Sequence, residues 1–109
     1  MKSKIISIGS YTPNNIVTNQ DLEKKVDTTD EWIVSRTGIK ERPIADDSQA
    51  TSDLAYEAAK IAVERAKIDK NDIDLIIVGT CTPDVATPNV GTLIQKRLDL
   101  KNFPAFSIE

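Results

Sequence analysis

Thr28, Trp32 and Arg36 stand four residues apart and form the sharpest chemical pattern in the chain. On a helix that spacing puts all three side chains on one face. An indole offers a flat surface on which a base can stack, and a guanidinium matches the geometry of phosphate oxygens. A hydroxyl beside them adds a hydrogen bond. Such a face suits the reading of an adenine together with its phosphates. An ordinary surface helix with Arg36 packed over Trp32 as a cation–π pair meets the same spacing, and the spacing taken alone favours that plainer account.

The other reactive groups offer less. Cys81, the one cysteine, follows an apolar run within Thr80-Cys81-Thr82-Pro83-Asp84. No histidine or neighbouring lysine stands beside it to stabilise a thiolate, so a small buried thiol is the expected role. The chain holds no histidine at all, which excludes an internal Ser-His-Asp or Cys-His pair and a His/Cys zinc cluster. Gly9 and Gly38 each stand alone, with no phosphate-cradling GxGxxG or GxxxxGK[ST] loop around them. Asp46, Asp47, Asp69, Asp72 and Asp74 lack the spacing of a calcium loop and read as caps and loop residues.

A chain of 109 residues, 39% apolar and 28% charged, is enough for one domain with a modest core. Fourteen basic and 17 acidic residues give a net charge of −3, too mild and mixed for a nucleic-acid or membrane partner. No apolar stretch approaches the roughly 18 residues of a membrane span, and the N-terminus lacks the pattern of a signal peptide. The single cysteine excludes an internal disulfide and fits a reducing compartment, so a cytoplasmic location is expected.

Apolar runs alternating with helical patterns predict an α/β layered fold. Ile5 to Gly9 reads as a first buried strand, closed by a turn over Tyr11 to Asn15. Thr18 caps a short helix through about Val26, with Asp21 at the third position. Thr28 starts the next helix, with Glu31 completing a capping box, and Gly38 suits its end. Ile39 to Ile44 reads as a short strand interrupted by Pro43. Thr51 or Ser52 begins the longest helix, through about Lys67, with Leu54, Ala58, Ile61, Ala62 and Ala66 on one stripe. Ile73 to Val78 suits a central parallel strand covered on both faces. Thr87 and Pro88 read as the cap and first residue of a third substantial helix whose apolar stripe is Val90, Leu93, Ile94 and Leu98. Phe103 to Ile108 reads as a last strand.

Ser10-Tyr11-Thr12-Pro13 through Thr18-Asn19-Gln20-Asp21-Leu22-Glu23 resembles the opening of the β-ketoacyl-acyl carrier protein synthase III family. Asp27 to Gly38 followed by Ile39-Lys40-Glu41-Arg42 resembles that family's most recognisable early motif. Ile73 to Gly79, Pro88 to Leu98 and Pro104-Ala105-Phe106 continue the likeness, which covers essentially the whole chain in order. The resemblance implies a thiolase-like fold, with residues 1–109 supplying a partial N-terminal domain of its first mixed-sheet half.

It also implies a decarboxylating Claisen condensation that starts type II fatty acid synthesis. An acyl-CoA, typically acetyl-CoA, acylates a cysteine and releases the CoA thiol. Malonyl-acyl carrier protein then loses CO2, and its carbanion attacks the thioester. The family places its cysteine a few residues after the strand matched by Phe103 to Ile108, and its histidine and asparagine later still. All three catalytic groups are therefore expected outside these residues, and Cys81 does not match the nucleophile's motif. Thr28, Trp32, Arg36 and Thr37 match CoA-binding positions, and Thr87 matches the position that enters a partner's acyl pocket. The implied partners are acyl-CoA, malonyl-acyl carrier protein and a second copy of the chain. Coenzyme A enters as a substrate thioester rather than a resident cofactor. A related condensing enzyme (hydroxymethylglutaryl-CoA synthase or a specialised-metabolite synthase) and a non-catalytic acyl- or nucleotide-binding module are the alternatives.

Overall fold

Thr18 ends a strand and starts a helix within one residue. Its side chain accepts from the Asp21 backbone N–H at 3.2 Å, and an Asp21 carboxylate oxygen accepts from the Thr18 backbone N–H at 3.1 Å. This reciprocal box satisfies amides that a helix start would otherwise leave bare. The computed structural model describes residues 1–108, which fall into two units. One is Thr12–Ser48; the other joins Met1–Tyr11 to the chain from Gln49 onward.

The Thr12–Ser48 unit holds β1 (Asn15–Thr18), α1 (Asn19–Glu23), α2 (Asp30–Thr37) and β2 (Glu41–Ile44). β1 and β2 pair antiparallel, with Asn15 opposite Ile44 and Thr18 opposite Glu41. Pro43 lies opposite Ile16, tolerated because a two-stranded ribbon has an edge on each side. The helix expected from Thr28 begins one residue later. Thr29 is the cap, its hydroxyl accepting from the Trp32 N–H at 3.1 Å. Four consecutive residues, Asp27 to Asp30, are all able to cap, so residue type alone does not choose among them. The helix stops at Gly38, whose φ of 71° is left-handed and favours a residue without a Cβ.

The second unit holds α3 (Thr51–Ala66), a short 3-10 turn (Lys70–Asp72), β3 (Ile76–Gly79), α4 (Val90–Arg97) and β4 (Ala105–Ile108). α3 starts from Ala50, which has no capping side chain. Two carboxylates take the free amides instead: Asp53 accepts from Ala50 N–H at 2.7 Å and Asp84 from Ser52 N–H at 2.8 Å. The Ala50 bond, followed by Arg97 at 2.6 Å, holds the Asp53 carboxyl below its usual range. Asn89 caps α4, two residues beyond the expected Thr87, because its side chain reaches the Thr92 N–H at 3.1 Å. Val90 and Ile94 on this helix are the buried apolar residues of the core.

β3 and β4 pair parallel, with Ile76 opposite Ala105 and Gly79 opposite Ile108. The parallel pairing matches the expectation, but cover on both faces does not. Ile76 and Val78 are half-buried, whereas Ile77 is 55% exposed, with Leu75, Phe106 and Ile108 also exposed. α4 packs against both strands of this sheet.

Ile5 to Gly9 is not a buried strand. Its isoleucines are exposed, and among the described residues no strand pairs with it. It runs along α3 instead. Ser7 Oγ donates to the Ala62 carbonyl at 2.6 Å, and Arg65 donates to the Ile8 carbonyl at 3.0 Å. At Gly9 any Cβ would sit 2.2 Å from the Ala58 carbonyl oxygen, so the crossing requires glycine.

Candidate functional site

The site residues lie on and before α2. Trp32 is on its first full turn and 55% exposed. Arg36, one turn on, places its guanidinium carbon 5.2 Å from the centre of the indole ring. That is within the ~6 Å range of a cation–π pair. A basic group in the last helical turn also complements the negative helix end.

Thr28 does not share the helical face, because the helix starts at Asp30. It meets Trp32 by another route. The extended entry turns Asp27, Thr28 and Thr29 around the indole, and the four residues line a concavity of about 270 Å³. This falls just below the ~300 Å³ lower end of small-molecule sites, so it suits one planar ring rather than a whole dinucleotide-sized ligand. Asp27 lines it as an acid, which favours an amine and opposes a phosphate.

Thr37 stands apart. Its hydroxyl donates to the Ile33 carbonyl at 2.8 Å and accepts from the Ile39 N–H at 3.1 Å. It closes the helix end and does not line the concavity. Thr87 lies in the other unit, exposed in the loop before α4.

Cys81 is exposed in the turn after β3, not buried. The turn is held by polar bonds: Thr82 N–H donates to Thr80 Oγ1 at 3.1 Å, and Thr51 Oγ1 donates to the Thr82 carbonyl at 2.5 Å. Asp69 caps the 3-10 turn, Asp46 accepts from Ser48, and Asp74 pairs with Lys101 at 2.9 Å. A second cavity, of about 420 Å³, lies in the α3 unit between its alanine face and Ile73, Ile94 and Leu98. The side chains lining it are all apolar, so none of them offers a polar group to orient a ligand.

Sequence reasoning missed a polar cluster behind α2. Asn19 is fully buried. Its amide donates to an Asp30 carboxylate oxygen at 2.7 Å and to the Ile39 carbonyl at 2.8 Å. Its oxygen accepts from Arg42 Nη2 at 2.5 Å, while Arg42 Nη1 donates to the Val17 carbonyl at 3.1 Å. The available signal was an amide at a first helical position, where a solvated side chain is usual.

No family model matches the chain. Curated relatives do. The chain is 54% identical to β-ketoacyl-[acyl-carrier-protein] synthase III of Ehrlichia canis (strain Jake), over 99% of its own length and 34% of that protein. It is 57% identical to the synthase III of Caldanaerobacter subterraneus subsp. tengcongensis, over 95% of its length and 31% of the relative. The crystal structure of 3-oxoacyl-[acyl-carrier-protein] synthase III from Aquifex aeolicus VF5 superposes with a TM-score of 0.91 at 48% identity, over 96% of this chain and 34% of that one. The chain thus spans about a third of the length of the relatives it matches. Over that third it resembles synthase III in sequence, and the thiolase-like mixed α/β fold expected of it is the fold observed.

Proposed function

We propose that this chain is part of a β-ketoacyl-acyl carrier protein synthase III, and that its α2 face reads the adenine and phosphates of an acyl-CoA. The observation that carries the second half is the exposed Trp32 ring, stacked by Arg36 and bordering a concavity sized for one ring. Adenine would lie against the indole, with Asp27 and the Thr28 hydroxyl facing its polar edge. The phosphates would lie toward Arg36 and away from Asp27. Thr37 would act by fixing the helix end that presents Arg36.

In this reading the whole enzyme transfers an acyl group from CoA to a cysteine and condenses it with malonyl-acyl carrier protein as CO2 leaves. The nucleophile, the histidine and the asparagine would come from outside these residues. The enzyme would be a cytoplasmic homodimer, with coenzyme A entering as a substrate thioester. Thr87 would enter the acyl pocket, where a small side chain leaves room for longer or branched primers.

The test is steady-state kinetics of the full-length synthase containing this chain. Base–aromatic stacking contributes ~1–3 kcal/mol, so Trp32→Ala should raise the KM for acetyl-CoA by roughly five- to 150-fold and leave the KM for malonyl-acyl carrier protein unchanged. An unaltered acetyl-CoA KM would refute the adenine reading. At the other site, Thr87→Phe should reduce use of octanoyl-CoA relative to acetyl-CoA. A wild type already strict for acetyl-CoA would remove that assignment.

A further inference from the structure

α2 carries the Trp32–Arg36 face, yet its eight residues include none that is buried. A helix this short is marginal by itself, and its apolar residues Ile33 and Val34 are only half-buried. A side chain that swings by an ångström or so no longer meets its ligand. Partial packing of this kind leaves a place for polar bonds in fixing the face.

The Asn19 cluster has the connections to do so. The amide group bonds Asp30, the first residue of α2, and the carbonyl of Ile39, just beyond its Gly38 end. One buried side chain therefore grips the helix at both termini. Arg42 on β2 grips Asn19 in turn and reaches across to the β1 carbonyl of Val17. Two further bonds lie one at each end of the helix: the Glu23 carboxylate accepts from the Asp30 N–H at 2.6 Å, and Asn19 N–H donates to the Lys40 carbonyl, beyond Gly38, at 3.1 Å. Both amide hydrogens and the amide oxygen of Asn19 are engaged, so the group tolerates only a partner set of this polarity.

We infer that Asn19, held by Arg42, is a positioning residue for the Trp32–Arg36 face, so that affinity for an adenine nucleotide carrying phosphates depends on a buried amide that does not line the site. The inference rests on the reading of that face proposed above. It assigns Asn19 and Arg42 no contact with the ligand.

The full-length synthase containing this chain provides the test. Asn19→Asp keeps the size of the side chain but turns the donor toward Asp30 and Ile39 into an acceptor. It should raise the KM for acetyl-CoA roughly tenfold, leaving kcat and the KM for malonyl-acyl carrier protein within about twofold of wild type. Calorimetric binding of adenosine 3′,5′-bisphosphate should weaken by the same factor. Arg42→Lys, which retains the charge but cannot bridge Asn19 and Val17 together, should give a smaller shift of the same kind and serves alone if Asn19→Asp does not fold. Trp32→Ala is run beside them. If Trp32→Ala weakens nucleotide binding while Asn19→Asp and Arg42→Lys do not, the positioning role is wrong and the site stands. If all parameters of Asn19→Asp or Arg42→Lys move together, the cluster is merely structural and the inference fails. If Trp32→Ala binds like wild type, the site itself is wrong.

Discussion

Arg36 lying 5.2 Å from the Trp32 ring is the cation–π pair of the plainer account, and it leaves the indole exposed. A cation–π contact narrows the rotamers of both side chains, and an indole so held can meet a purine with less ordering to do on binding. Arg36→Lys would keep the charge and lose the planar stack. It should weaken acyl-CoA binding by several-fold in titrations at fixed salt, and equal affinity would mean that the stack contributes nothing. A second residue-scale effect concerns pH. The Thr18 hydroxyl, then its backbone N–H, then Lys24 favour the Asp21 carboxylate and lower its pKa from 3.8 to about 2. The group binds its proton more readily in the unfolded chain, so the stability it contributes is present above 3.8 and is lost as pH falls through about 2. NMR titration of the Thr18 amide should show a midpoint near 2, absent in Asp21→Asn. A midpoint at the ordinary value would show that the box does not hold in solution.

Gly38 sets where α2 ends. Its φ of 71° costs an L-residue with a Cβ ~1–2 kcal/mol, and nothing lies within 4 Å of where that Cβ would be. Gly38→Ala should therefore lower the melting temperature through backbone strain alone, and Gly38→Asn should lower it less. Equal stability of all three would remove the strain account. The elements themselves are partly legible in the sequence. The glycine stop, the Thr18–Asp21 box and the long alanine-striped helix each rest on local chemistry, and each was found. β2, β3 and β4 overlap the runs read as strands, whereas β1 was not legible, since it is too short to show a period of two and its partner β2 lies beyond two helices. Caps drifted by one or two residues where neighbours compete for the role, as at Thr29 and Asn89. The candidate site was legible in Trp32 and Arg36, whose spacing is itself the contact. Thr28 joined them through an entry loop that no helical spacing describes, and Asn19 gained its role only from chain segments 11, 20 and 23 residues away.

At the scale of the chain, the α3 unit leaves an apolar surface open. Leu75, Ile77, Phe106 and Ile108 are exposed together on the β3–β4 sheet, with Ile77 directly opposite Phe106 in the register. Neighbouring apolar side chains on one sheet face act as a patch rather than as scattered residues, and such patches mark surfaces that another chain covers. Among the described residues β4 pairs only with β3, so its other edge also presents unpaired backbone groups. The 109-residue chain alone should therefore self-associate, its weight-average mass in light scattering rising with concentration. Ile77→Lys with Phe106→Glu places charges opposite one another on that face, where they attract within one sheet but resist burial against a second copy. The double variant should shift the chain toward monomer without loss of the parallel pairing. A wild-type chain that stays a monodisperse monomer at high concentration and melts cooperatively would show that this face is stable in water and needs no cover.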